Sequence, residues 1–183
     1  MTVTNDKEIL ERLKSGDKEA YSDLYNLHAQ AIYRFVYFRV GSKEIAEDVM
    51  QETFLKLIDV VDMVRMTNVR AYLYRIARNL VTDSYRSKSK QETVALDAAY
   101  DIESVQGPGV IEAGVDLLIL GDALKDLRAD WREIVILRHV ESLSHKEIAQ
   151  IIGRTSTYVR VNLHRATKAL NSHFNSSAED DQK

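Results

Sequence analysis

Residues 144–170, SHKEIAQIIGRTSTYVRVNLHRATKAL, decide the fold of this chain, because they read as two helices joined by one tight turn. Ser144, followed three residues later by Glu147, is a capping box: the Ser hydroxyl and the Glu carboxylate each satisfy a backbone N–H left unpaired at a helix start. The spacing predicts a first helix from Ser144 to Ile152. Gly153 ends it, since the turn needs a left-handed residue and Gly adopts that conformation without a Cβ clash. Ala149, Gly153 and Val159 supply a small residue where the helices cross, the turn itself, and a buried β-branched anchor, at the spacing of a helix-turn-helix.

The second helix starts at about Thr155 as N-cap. At a hundred degrees per residue, Val159, Leu163, Ala166 and Leu170 fall on one narrow stripe that must face a core. Opposite them lie Thr157, Arg160, Val161, His164, Arg165 and Lys168. From Arg154 to Lys168 there are four Lys/Arg and no acidic residue. That face suits phosphates and base edges in a major groove. A solvated helix surface is the plain alternative, but the missing carboxylate partners in a chain of net charge −3 favour DNA.

The chain's 183 residues hold one domain or two small ones. Its charged fraction of 29% and hydrophobic fraction of 45% are those of a soluble globular protein. No apolar run reaches the length of a membrane span, and the polar start Met1 to Glu8 does not read as a signal peptide, so the expected location is the cytoplasm. Zero cysteines exclude disulfides, thiolate metal sites and cysteine nucleophiles, and the five His show no metal-ligand spacing. Neither a metal nor a cofactor is expected. Charge is divided: 1–90 and 116–175 are each mildly basic, whereas 91–115 hold five carboxylates and no Lys or Arg.

With a single Pro, at position 108, and no sustained β-branched alternation, the chain reads as all-α. A short helix is expected from about Asn5 to Ser15, closed by Gly16. Asp17 caps a longer one reaching Val40, closed by Gly41. A third starts at Ser42, with Ala46, Val49, Met50, Thr53, Leu57, Val60 and Val61 as its buried stripe. Asp48, Gln51 and Glu52 form an acidic and amide patch beside that stripe, which by itself reads as solvated surface. After a loop between Asp62 and Asn68, a helix over about Val69 to Arg86 turns Leu73, Ile76, Ala77, Leu80, Val81 and Ser84 inward. Arg75, Asn79, Thr82 and Arg86 lie outside, with Arg70 and Arg78 at the flanks and Tyr72 nearby. Arg65 to Lys90 holds seven basic residues against one acid, Asp83. Such a helix fits a nucleic-acid backbone with bases stacked beside it, and equally fits a basic helix end in water. Residues 91–115, with Gly107, Pro108, Gly109 and Gly114, read as a linker between domains. Helices at roughly Asp116 to Leu127, in which Gly121 is awkward, and Asp130 to Val140 follow. Trp131, Ile134, Val135, Leu137 and Leu143 are the expected core around the helix-turn-helix. The polar stretch 175–183 is expected to be disordered. The resulting division is 1–90, 91–115, 116–174 and 175–183.

Three stretches together carry a family resemblance: Ala46-Glu47-Asp48-Val49-Met50-Gln51-Glu52-Thr53-Phe54; Tyr72-Leu73-Tyr74-Arg75-Ile76-Ala77-Arg78-Asn79-Leu80; and Leu137-Arg138 through Leu143 to Ala149 and on to Val159-Arg160 and Leu163 to Ala166. In order and separation they resemble the extracytoplasmic-function sigma factors, the smallest subfamily of bacterial promoter-recognition subunits of RNA polymerase, over about Glu8 to Phe174. The resemblance implies a region-2 helical domain and a region-4 helix-turn-helix domain joined by a flexible linker. It implies that Asp48, Gln51, Glu52 and Phe54 dock on the polymerase's largest subunit. Asn79 and the loop Met63 to Val69 would open the upstream edge of the promoter's minus-ten element and hold a flipped base, with Arg75, Arg78 and Arg86 near phosphates. Arg160, Val161, His164 and Arg165 would read the minus-thirty-five element. An anti-sigma factor is the implied inhibitory partner, and the acidic linker would lie in the polymerase's RNA path.

The chain departs from the family pattern in three places. The loop lacks the Phe-Arg-Gly often found before the promoter-melting helix, Thr157 stands where Gly is common, and Asn162 where Arg is common. No hydrolytic triad, phosphate-cradling glycine loop or metal constellation is present, so the expected action is binding to core RNA polymerase and promoter DNA, not catalysis, with no small-molecule substrate and no membrane insertion. The main rival is a self-sufficient helix-turn-helix regulator that binds an operator without polymerase. A third reading is an interaction module with degenerate DNA contacts that titrates a regulator.

Overall fold

A computed structural model describes residues 2–62, 68–88 and 124–180, and their side chains over 6–62, 68–85 and 124–172. The chain forms two compact units, 1–98 and 99–183, dividing inside the stretch that reads as a linker. Every regular element among the described residues is helical.

In the first unit α1 spans Thr2–Lys14, α2 Lys18–Val40, α3 Lys43–Val60 and α4 Val69–Lys88. The cap chemistry legible in the sequence places the middle boundaries. Asp17 accepts from the Glu19 N–H at 2.9 Å, and Ser42 from the Ile45 N–H, satisfying donors that the helix starts leave unpaired. Gly41, left-handed at φ 67°, returns its N–H to the Tyr37 carbonyl and ends α2. The first helix begins at Thr2, ahead of the expected Asn5. Two polar ties hold it down: His28 Nε2 lies 2.9 Å from Asp6 Oδ1, and the Arg12 guanidinium donates to both Asp17 and Asp23 at 2.7 Å. Those bonds hold the Arg12 guanidinium above its ordinary pKa, and Arg12 in turn holds the Asp17 carboxyl below its own.

The core of this unit is aromatic. Phe35 meets Tyr74 edge-on with centroids 5.2 Å apart, joining α2 to α4, and Tyr25 lies 4.9 Å from Phe54, joining α2 to α3. Tyr37, Phe38, Leu24, Ile32, Leu57 and Leu73 are also fully buried. The inward stripe of α3 holds as expected except at Val60, which is half-buried, while Phe54 joins it at 0% exposure. On α4, Ile76 and Ser84 are half-buried and Val69, Ala71 and Tyr74 take the deeper positions. Asn68 caps α4 by accepting from the Ala71 N–H at 2.8 Å. The rest of the expected loop, 63–67, lies outside the described residues.

In the second unit α5 spans Ala129–Val135, α6 His145–Ile152 and α7 Ser156–Asp180. The expected Asp130 to Val140 helix does not run through as α-helix: after Val135 it widens into a π-helical turn over Ile136–Val140, closed by the Glu141 N–H on the Ile136 carbonyl at 3.0 Å. Ser142 then takes a left-handed φ of 55°, a conformation that costs a non-Gly residue about 1–3 kcal/mol. It is held there from both sides. The Leu143 N–H donates to the Leu137 carbonyl and the Arg138 guanidinium donates to the Leu143 carbonyl, each at 3.0 Å, with Leu143 buried. Arg132, itself buried, donates to the carbonyls of Leu124, Lys125 and Leu127 and so fastens the incoming chain to α5. The segment expected as the Asp116 to Leu127 helix, including Gly121, lies outside the described residues up to position 123, as do the linker and its carboxylates. The stretch after Phe174 is a correction: α7 continues to Asp180, because neither Gly nor Pro interrupts it and extending a formed helix costs far less than nucleating one.

Candidate nucleic-acid interface

The helix-turn-helix forms as its residues dictate. The Ser144 hydroxyl accepts from the Glu147 N–H at 3.3 Å while the Glu147 carboxylate accepts from the Ser144 N–H at 2.8 Å, the reciprocal pair expected of the capping box. Gly153 is left-handed at φ 67°, its N–H returns to the Ala149 carbonyl, and open space surrounds the position of an added Cβ. The glycine is therefore required by backbone conformation and not by crowding. Thr155 caps α7, accepting from the Tyr158 N–H at 3.1 Å. Val159 and Ala166 are fully buried, whereas Leu163 and Leu170 are half-buried.

On the far side of α7, Thr157, Arg160, Val161, His164, Arg165 and Lys168 are all exposed, with Val161 showing 40% of its surface. The face so formed offers two guanidiniums and an ammonium, an imidazole and one apolar contact. Planar guanidinium forks match the paired acceptors of guanine, and an isopropyl group matches a thymine methyl. Arg154, just ahead of the helix, lies over the Tyr158 ring at 5.7 Å. Asn162 is on the inner side, 9% exposed, although it stands on the recognition helix where the resemblance places Arg. A polar residue about 60° from the buried stripe is not assignable to either side by angle alone.

On α4, Arg75 and Asn79 are exposed and Arg78 and Thr82 half-buried. The Arg75 guanidinium sits 4.7 Å from the Tyr72 centroid, so cation and ring form one stacked unit. The Thr82 hydroxyl donates to the Arg78 carbonyl at 2.9 Å and turns inward on its own helix. Arg86 belongs to α4, but its side chain lies outside the described residues. At the same end the Tyr85 hydroxyl donates to the Arg39 carbonyl at 2.9 Å, tying the C-terminal end of α4 to that of α2.

On α3, Asp48, Gln51 and Glu52 are exposed, and Glu52 pairs with Lys56 at 3.1 Å. Phe54 is a correction. It is fully buried against Tyr25 and has no surface to offer a partner in this structure. The residue missed by sequence reasoning is Leu55. It is 61% exposed among those polar groups, and Ile58 nearby is 39% exposed. An apolar side chain left in water amid carboxylates and an amide fits the centre of a protein contact with a polar rim. The signal was available: Leu55 lies off the buried stripe by angle.

Among the described residues no helix is long and apolar enough to cross a membrane, and no three His, Asp or Glu are grouped to hold a metal ion.

Comparison with known proteins follows the same division. Residues 24–91 match the family described as Sigma-70 region 2, and residues 117–170 match Sigma-70, region 4. Among curated relatives, the ECF RNA polymerase sigma factor BldN of Streptomyces coelicolor is 31% identical over 168 residues, 89% of this chain and 63% of the relative. SigW of Bacillus subtilis is 28% identical over 90% of this chain and 94% of its own length. SigL of Mycobacterium tuberculosis is 30% identical over 80% of this chain and 84% of its own. The chain thus spans less than two thirds of the length of BldN but most of SigW and SigL. Two solved structures share the fold. CnrH in complex with the cytosolic domain of CnrY superposes with a TM-score of 0.70 at 22% identity, covering 94% of this chain and 98% of that one. The sigma factor RpoE of Bartonella quintana, in complex with the anti-sigma factor NepR, gives 0.72 at 23% identity over 85% and 96%.

Proposed function

The chain belongs to the extracytoplasmic-function family of RNA polymerase sigma factors, and from that membership we propose that it binds core RNA polymerase and directs promoter recognition, melting and transcription initiation. The α3 face of Asp48, Gln51 and Glu52, with Leu55 at its middle, docks on the polymerase. Arg75, Arg78 and Asn79 of α4, together with Arg86, hold the minus-ten element. Thr157, Arg160, Val161, His164, Arg165 and Lys168 on α7 read the minus-thirty-five element, the charged groups steering to phosphates and the forks to base edges. The protein acts by binding, without bond chemistry of its own, and works in the cytoplasm, where the polymerase transcribes. An anti-sigma factor is the proposed inhibitory partner; the fold neighbour RpoE is held in a complex of that kind.

The observation that carries this reading is the recognition face itself. Six side chains with no carboxylate among them stand exposed opposite a fully buried Val159 and Ala166, behind a turn and cap whose geometry is complete. Holding two DNA-contacting units on one polymerase makes each weak contact intramolecular once the other is formed, so neither needs high affinity alone. The test is duplex binding and run-off transcription on a promoter library, with and without core enzyme. Weak binding by the chain alone, with selective initiation once core is added, is the expected result. Tight, specific duplex binding without polymerase would overturn it in favour of a self-sufficient regulator.

A further inference from the structure

Asn162 occupies a position whose chemistry the reading of the recognition face does not use. Its side-chain oxygen accepts from the Trp131 indole N–H at 3.0 Å, and its amide nitrogen donates to the Tyr158 carbonyl at 2.9 Å, one turn earlier on the same helix. The orientation of the amide is dictated by chemistry, since an indole can only donate and a carbonyl can only accept. Both ends of a side chain that is 9% exposed are therefore satisfied, and the bond crosses from α5 to α7, two helices that pack together. The clamp is flanked by stacked cations. Arg128 lies 5.5 Å from the Trp131 ring and Arg154 lies 5.7 Å from the Tyr158 ring.

We propose that the Trp131–Asn162 hydrogen bond is a positioning pair that sets the rotation of the recognition helix about its own axis, and that Asn162 thereby determines how sharply the minus-thirty-five element is discriminated. Apolar contacts such as those of Val159 and Ala166 fall off gradually with displacement and tolerate small rotations. A hydrogen bond does not, because it weakens steeply outside a narrow range of distance and angle. At an outer helix radius of about 5–6 Å, a rotation of about 10° carries a side-chain base through about 1 Å. That displacement is enough to break one arm of a two-pronged contact from Arg160 or Arg165 to a base edge while leaving contacts to flexible phosphate oxygens in reach. Loss of the clamp thus loosens sequence discrimination and spares backbone affinity.

This rests on the assignment of α7 as the minus-thirty-five reader, and the experiment separates the two. Holoenzyme is assembled from core polymerase and full-length chain carrying Asn162→Leu, Trp131→Phe, both together, or Arg160→Ala, and is offered duplexes randomised over the minus-thirty-five element at several salt concentrations. Each clamp variant is expected to lower the preference for the best element over its single mismatches by about fivefold to tenfold, the worth of one hydrogen bond. The salt slope and the affinity for core polymerase stay at the wild-type values, and the double variant is no worse than either single one. Trp131 is the one tryptophan of the chain, so its emission reports the bond directly and shifts in Asn162→Leu. Wild-type discrimination in either folded variant, additive losses in the double variant, or a fall of salt slope and helix content in parallel with discrimination would each overturn the proposal. An Arg160→Ala holoenzyme with unaltered preferences would overturn the assignment of the face, and the clamp with it.

Discussion

Arg160 and Arg165 end in planar forks exposed on one side of α7, and Lys168 ends in a point charge a turn further along. Forks confer base preference and point charges confer affinity, so the substitutions separate. Arg160→Ala or Arg165→Ala should each remove about 1–3 kcal/mol of holoenzyme binding to the preferred promoter and relax preference at one position. Lys168→Ala should weaken all sequences alike and reduce the salt slope by about 1. Competition binding against a mismatch series at two salt concentrations measures both. Neighbouring residues on α3 divide in the same way. Phe54→Ala opens the core between α2 and α3 and should destabilise the first unit by about 3–5 kcal/mol, seen as a lower denaturation midpoint. Leu55→Ala should change stability by no more than about 0.5 kcal/mol, as expected of an exposed site. Its loss should appear instead in polymerase association, by about 1 kcal/mol or more if it sits at the centre of the contact.

The elements themselves are defined by their ends. Asp17, Ser42, Asn68, Ser144 and Thr155 all accept a backbone N–H from the turn they open, and each is a residue whose short polar side chain reaches only that far. The π turn at Ile136–Val140 has no such marker, since a single widened hydrogen bond leaves the residue pattern of an α-helix nearly unchanged. It carries His139, whose pKa is lowered by partial loss of water around its ring, with the neighbouring Arg138 cation adding to the effect. The unfolded chain takes up this proton near the ordinary value of about 6.5, the folded chain only at lower pH. Across that window the unfolded state binds more protons, so the contribution to stability is complete above about 6.5 and is lost as pH falls through the folded value. Thermal midpoints of the second unit should accordingly decline from neutral pH downward through this window, and His139→Gln should flatten that part of the profile. Because His139 remains exposed on the turn, the slope is shallow.

At the scale of the whole molecule, two mildly basic blocks, 1–90 and 116–175, flank a stretch that carries five carboxylates and no cation over 91–115. In a complex where both units sit on one polymerase, that stretch must pass along the enzyme between them. Replacing Glu92, Asp97, Asp101, Glu103 and Glu112 by the corresponding amides should alter the length distribution of abortive transcripts more than promoter occupancy. Unchanged abortive synthesis would show the carboxylates to be plain solvated tether. On the proposed assignment, polymerase docking by α3 and minus-thirty-five reading by α7 belong to different units, so variants on α7 and on α3 should fail at different steps of initiation, which separate assays of core binding and open-complex formation distinguish.

The helical class, the caps, the helix-turn-helix and the six outward side chains of α7 were all determined by the sequence alone. They depend on contacts within one or two turns, where residue type and spacing translate directly into geometry. What lay beyond it depended on partners distant in the chain. Phe54 reads as a docking residue until Tyr25 covers it. Asn162 sits at an angle that favours neither side, and only the indole of Trp131, 31 residues earlier, draws it inward. In each case burial was settled by which helix packed against which, and that choice is made by the sum of many apolar contacts, not by the residue itself.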